Sequence, residues 1–261
     1  MKDIARTFAL PVIFVAAPMM LAAPAAAKPV VLELFTSQGC SSCPPADKVL
    51  EDISTTPGVV AISRPITYWD RLGWKDTLAR PANTERQRAY RGLSGRLGVY
   101  TPQIVIDGDW EGNGSARAQV AAEVRRTLRE PTLAEVKFTR APNGQFAVEV
   151  GGVKSDAAEV RLIALESAPT VDIERGENRG RKITYTNVVT SEHVLGSWDG
   201  GRKRWTIADD DLAALDGDRL AVVVQRKGLG TVLGAAIMER PVVAQPAAPN
   251  TETASLGDER F

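Results

Sequence analysis

Cys40-Ser41-Ser42-Cys43-Pro44 sets two thiols three positions apart, where a strand-like run meets a helix-like one. This junction restricts the fold more than any other feature of the chain. Val30 to Phe35 is close to continuous in apolar character, as a strand covered on both faces is. Ala46 to Ile53 places Val49, Leu50 and Ile53 on one helical face. The start of a helix carries unpaired N–H groups and a partial positive charge, and both favour a thiolate. Such surroundings lower a cysteine pKa from about 8.5 to roughly 3.5–7.5. Two intervening residues keep the second sulfur within reach of the first, so a mixed disulfide can be resolved inside the chain. Pro44 and Pro45 suit a first helical turn, where their missing N–H groups are not needed.

Up to about Glu130 strand and helix signals alternate, which implies an α/β layer structure. Val59–Ile62 is expected as a strand ended by Arg64-Pro65, Thr84–Leu97 as a basic helix interrupted at Gly92 and Gly95, and Ile104–Ile106 as a buried strand. Ser115 is expected to cap a helix with Ala116, Val120, Val124 and Leu128 on its apolar face. After Pro131 the runs 133–140, 145–151, 159–166, 182–195, 219–225 and 231–238 are β-rich, and Asn143-Gly144 marks a hairpin. The expected organisation is therefore an α/β domain over 28–130, a mostly β, sandwich-like domain over 131–242 and a loose tail over 243–261.

Lys2 and Arg6, an apolar run from Phe8 to Ala23, and the small residues Ala22 to Ala27 have the form of a signal peptide over 1–27. Export to the periplasm of a Gram-negative source, or secretion from another, is the expectation, with no membrane span after cleavage. Outside the cytosol thiols meet oxidants and disulfides persist. Lys plus Arg and Asp plus Glu number 32 each, so the bulk charge gives no invitation to nucleic acid. Two cysteines and one histidine, His193, cannot assemble a multi-ligand zinc cage, and no cofactor is expected.

The cysteine pair admits three readings. As a redox pair, Cys40 is the nucleophile and Cys43 the resolving thiol, and Cys40 must be ionised and reachable in the reduced protein. As a structural disulfide it is a poor staple, because so short a loop removes little unfolded-state entropy. As a pair of thiolates it could hold copper(I) or zinc, within a non-catalytic binding module.

Phe35-Thr36-Ser37-Gln38-Gly39-Cys40-Ser41-Ser42-Cys43 resembles the glutaredoxin pattern of an aromatic, a threonine, two residues and Gly-Cys-x-x-Cys. Thr101-Pro102, ahead of the strand at Ile104, looks like the cis-proline of the thioredoxin superfamily. The strings Glu33–Asp47, Tyr68–Asp76, Arg86–Tyr90, Val99–Gln103, Arg175–Arg181 and Tyr185–Val189 resemble the exported thioredoxin-like family catalogued as domain of unknown function 1223. The resemblance implies a thioredoxin-like fold and a CxxC site, with Pro102 and Thr101 receiving a substrate strand. It names no substrate. Family members carry His-Val-Asp before Tyr-Trp-Asp where this chain has Pro65-Ile66-Thr67, which removes a histidine and a carboxylate.

Glu33 lies on the strand entering the motif, where thioredoxin has a buried carboxylate that handles the resolving cysteine's proton, although its offset from Cys40 is one residue longer. It serves that role or faces solvent. Tyr68, Trp69 and Trp74 either rim a peptide site or pack into the core. Residues 64–96 hold eight basic and three acidic side chains, which either stabilise a thiolate and attract an acidic partner or form a solvated face. The expected function is thiol–disulfide exchange with a protein thiol or disulfide.

Overall fold

Apolar runs without alternation become central strands because a layer covers each of their faces. β1 (Val30–Thr36) and β2 (Val59–Pro65) are buried at every position and pair in parallel, Val30 against Val59 through Thr36 against Pro65. The computed structural model describes residues 28–94 and 98–241. The expected signal peptide and the expected tail lie outside the described residues.

Between these strands runs α1 (Pro44–Ser54), with Cys43 as its N-cap and prolines in its first turn. α2 (Pro81–Ser94) follows, then β3 (Gln103–Ile106), β4 (Trp110–Asn113) and α3 (Arg117–Thr127). The expected helix at Thr84 thus begins earlier, at Pro81, a residue that a first turn tolerates. Ser115 does not cap α3; the N-cap is Ala116, and the Ser115 hydroxyl turns to the Ser42 carbonyl at 3.4 Å. Ala46, Val49, Leu50 and Ile53 of α1 pack with Leu32, Leu34, Ile104 and Ile106 of the sheet and with Val120 and Val124 of α3. Phe35, Val105 and Tyr90 of α2 meet across the opposite face.

The second half supplies β5 (Ala134–Arg140), β6 (Phe146–Gly152), β7 (Ala158–Glu166), β8 (Thr170–Asp172), β9 (Lys182–Thr184), β10 (Val188–Trp198), β11 (Lys203–Thr206), the short α4 (Asp209–Ala214), β12 (Arg219–Arg226) and β13 (Val232–Glu239). The expected boundary at 130/131 does not divide the sheet. One mixed sheet of eight strands runs β13-β12-β7-β10-β2-β1-β3-β4. Its splice is Asn187, at φ 48°, whose side-chain amide donates to the Ala61 carbonyl at 2.9 Å while Val188 pairs with Ser63. This left-handed residue also explains why the expected run 182–195 is two strands. A three-stranded sheet, β11-β6-β5, covers one face of the large sheet, with Phe146, Val148 and Val150 against Val160, Leu162, Leu220 and Val222. The sandwich-like packing is present, but one of its layers is shared with the first half. Among the described residues no helix is long and apolar enough to cross a membrane.

Candidate functional site

Cys40 and Cys43 form a disulfide at the start of α1, with Cα atoms 5.4 Å apart. Both residues are 0% exposed in this oxidised form. The Thr101 hydroxyl donates to Cys40 Sγ at 3.3 Å, and Ser42 Oγ lies 3.3 Å from the same sulfur. Trp69 Nε1 in turn donates to Thr101 Oγ1 at 2.8 Å. The Thr101-Pro102 bond is cis, and the Pro102 carbonyl accepts from Gly114 N–H at 3.1 Å. At Gly114 a Cβ would stand 2.7 Å from Leu34 Cδ1 and 3.0 Å from Ala46 Cβ, so any other residue would push these side chains aside. That close approach carries the Pro102 loop onto the first turns of α1.

The aromatic residues divide their roles. Tyr68 and Trp69 pack against Phe35, Ile66, Tyr90 and Val105, as core aromatics do. Trp74 Nε1 donates to Gln38 Oε1 at 2.8 Å, and Asp76 accepts the Gln38 N–H at 2.8 Å, so the loop 70–78 is tied to the residues just before the cysteines. At the two positions of the expected departure, the Pro65 carbonyl accepts from Asn83 Nδ2 at 3.0 Å, and Thr67 N–H donates to Thr84 Oγ1 at 3.0 Å. Both positions here anchor α2.

Glu33 is buried, so it does not face solvent, and its side chain lies on the face of the sheet opposite α1 and the cysteines. Its neighbours Leu32 and Leu34 face α1, so strand alternation turns Glu33 to the face that carries α2. A one-residue longer offset puts a strand side chain on the opposite face. There Arg64 Nε donates to Oε1 at 2.5 Å, Arg86 Nε and Nη2 at 2.7 and 3.0 Å, and the Tyr90 hydroxyl at 2.6 Å. Burial opposes the charge on Glu33, but Arg86 and Arg64 outweigh it and hold the carboxyl well below the usual range. Glu192 and Gln225 from the second half complete this buried network through Arg64 and Arg86.

A second buried carboxyl, Asp47, sits one helical turn beyond Cys43 and on the same face of α1. It is buried, and neither of its oxygens makes a well-formed hydrogen bond; the same holds for the nearby hydroxyls of Thr36 and Tyr185. Burial pushes Asp47 up to about 7, with Thr36 opposing and the charge of Asp76 adding to the shift. Tyr185 is raised by burial and by Asp47 and Asp76 together. A carboxylate on the otherwise apolar stripe Ala46, Val49, Leu50, Ile53 was the signal in the sequence for this residue.

A strap from the second half closes over the motif. It is the loop between β8 and β9, closed at its base by Gly180 N–H to Ile173 O at 2.7 Å and Ile173 N–H to Arg181 O at 2.9 Å. Asn178, fully buried, donates through Nδ2 to the carbonyls of Gln38 at 2.9 Å and Cys40 at 2.8 Å. Glu177 is exposed and accepts the Ser41 N–H at 3.0 Å. Gly176, at φ 76°, lies against Trp74, where a Cβ would stand 3.3 Å from the tryptophan Cβ. His193 lies on β10, remote in sequence from these residues, and helps line a 580 Å³ cleft with Leu162, Leu195 and Leu215.

The model of a family described as protein of unknown function (DUF1223) matches residues 31–225. The chain belongs to that family. Among solved structures it is similar to the crystal structure of protein AGR_C_4864 from Agrobacterium tumefaciens, at 30% identity and a TM-score of 0.72, covering 85% of this chain and 99% of that one. It is also similar to HBP35 of Porphyromonas gingivalis, at 14% identity and a TM-score of 0.51, covering 85% of this chain and 81% of that one, a likeness of fold alone. No curated protein matches. The DUF1223 match ends at Gln225, so it takes in the strap and the Glu33 network as well as the cysteines.

Proposed function

We propose that this DUF1223 protein is an exported thiol–disulfide oxidoreductase with a thioredoxin-like core that exchanges disulfides with protein thiols. One observation carries the reading: a Cys40–Cys43 disulfide caps α1, and the Thr101 hydroxyl beside Pro102 is aimed at the Cys40 sulfur. The order β2-β1-β3-β4, with α1 and α3 on one face and α2 on the other, supports the thioredoxin-like part of it. In exchange, a partner thiolate attacks Cys40 Sγ, the Cys40–Cys43 bond breaks, and Cys43 leaves as a thiolate that takes up a proton. A second thiol on the partner then attacks its own sulfur in the mixed disulfide and releases Cys40, so the partner is oxidised by two electrons and the pair reduced by two. Asp47 is the carboxyl group the site offers for the Cys43 proton. Signal-peptide cleavage would put the chain in a compartment where the pair is kept oxidised.

A second reading, a non-catalytic module with a permanent bridge, is favoured by the complete burial of both sulfurs. Thiol-alkylation titration against defined redox buffers decides between them. A reversible two-electron couple above about −300 mV is the expected result, and a bridge that the folded protein keeps against glutathione overturns it.

A further inference from the structure

The strap 173–181 joins the cysteine segment through contacts of two kinds. The Asn178 contacts are buried and reach two carbonyls. The Glu177 contact is a single hydrogen bond at the surface, between a carboxylate and the N–H of Ser41, the residue directly after Cys40. Because both sulfurs are fully buried, a partner has to displace part of the cover, and the exposed contact opens at the lowest cost. Ser41 precedes the first turn of α1, so the displaced carboxylate leaves a backbone donor in a positive helix-end field.

The surroundings are basic. Arg175 and Arg179 flank Glu177 on the strap, and Arg71 and Lys75 flank Trp74 on the loop beneath it; all four are exposed, and among the described residues none has a carboxylate partner. Of the acids on that loop, Asp76 is buried and already accepts the N–H groups of Gln38 and Leu78, and half-buried Asp70, beside Arg71, accepts the Asp76 N–H; Glu174 is an exposed acid on the strap itself. Leu72, 52% exposed, adds an apolar contact next to Arg71.

We propose that Glu177 is an in-chain stand-in for the substrate: the partner is a cysteine-bearing polypeptide segment with acidic side chains beside its cysteine, one of which replaces Glu177 on the Ser41 N–H as the strap lifts. This deepens the redox reading and rests on it. The chemistry is the exchange already described, with single-cysteine peptides acting in pairs. One thiolate opens the bridge at Cys40, a second attacks the sulfur of the peptide attached there, and the two peptides leave joined by a disulfide while Cys40 and Cys43 are left reduced.

The test uses the oxidised full chain and three peptides that differ only in Glu, Ser or Lys beside one cysteine. Reduction of the Cys40–Cys43 bridge is followed by alkylation and mass shift. Each rate is divided by the same peptide's rate towards hydroxyethyl disulfide, a neutral reference that removes differences in thiol reactivity. At low salt the acidic peptide is expected to react at least about tenfold faster than the basic one, and the ratio should fall towards one in about 0.5 M salt, where the Debye length is only a few ångströms. Arg175→Glu combined with Arg179→Glu should reverse the order. Glu177→Gln should let neutral dithiothreitol reduce the bridge several-fold faster with no change in thermal midpoint, because the lost contact is an exposed one. Equal normalised rates for the three peptides, or a preference that survives the double arginine reversal, overturns the inference while reduction by dithiothreitol leaves the redox reading standing. A bridge that neither dithiothreitol nor any peptide opens in the folded protein overturns both.

Discussion

The Trp69 indole N–H donates to Thr101 Oγ1 at 2.8 Å, which leaves the Thr101 proton directed at the Cys40 sulfur 3.3 Å away. In the reduced chain a hydroxyl held this way stabilises a thiolate over a thiol. Hydrogen bonds to charged groups contribute about 1.5–3 kcal/mol, so Thr101→Val is expected to raise the Cys40 pKa by about one unit or more. The pH dependence of iodoacetamide alkylation measures it. Trp69→Phe keeps the ring but frees the hydroxyl to rotate, and a smaller rise is expected. If both variants alkylate like the parent, the relay has no chemical consequence.

Asp47 gives the fold a pH dependence of definite sign. Its carboxyl titrates at about 7 in the folded chain and near about 3.9 when unfolded. Between those values the folded state holds the extra proton, so stability falls as pH rises from about 4 to about 7 and levels off above that. The loss is about 4 kcal/mol at most. Asp47→Asn has nearly the same shape and no titration. Urea unfolding at pH 5 and pH 8 should show the parent losing more stability over this interval than Asp47→Asn; equal losses would mean that Asp47 is ionised throughout.

Glu33 has the opposite sign and a different duty. Its charge is held by Arg64, Arg86 and Tyr90, so its contribution is present above the unfolded carboxylate range and is lost as pH falls through its depressed folded value. Glu33→Gln leaves two buried guanidinium groups short of a counter-charge, and about 3–5 kcal/mol of destabilisation is expected. Disulfide exchange per folded molecule should stay at the parent rate. Slowed exchange in fully folded Glu33→Gln would return Glu33 to the mechanism.

What the sequence reveals here follows the range of the interactions. β1 and α1 are legible because their apolar patterns are local, and the cysteine pair falls where strand meets helix. The Asn143-Gly144 turn is legible for the same reason, since Gly144 alone supplies the φ of 84° that it needs. The continuity of the sheet is not legible, because it depends on Asn187 reaching the carbonyl of Ala61, 126 residues away. Glu33 shows how parity misleads: one residue of offset exchanges the face of α1 for the face of α2. The strap has no periodicity at all, and its glycines and arginines point to a loop without saying what the loop covers.

That covering role makes Asn178 the strongest test of whether the second half belongs to the site. Its amide satisfies two buried carbonyls, those of Gln38 and Cys40, from 140 and 138 residues away. Asn178→Ala leaves the Gln38 carbonyl unpaired, while that of Cys40 keeps the Cys43 N–H at 3.1 Å, and a cost of about 1–3 kcal/mol is expected. Asn178→Asp costs more, since it sets acceptors against acceptors. Both should also speed reduction of the Cys40–Cys43 bridge by dithiothreitol, because the cover over the sulfurs is no longer held down. Lost stability alone could speed reduction through global opening, so Val148→Ala, in the core between β6 and the large sheet, serves as the control. At denaturant concentrations chosen to match the folded fraction, the Asn178 variants should reduce faster than Val148→Ala. Matched rates would confine Asn178 to holding the fold.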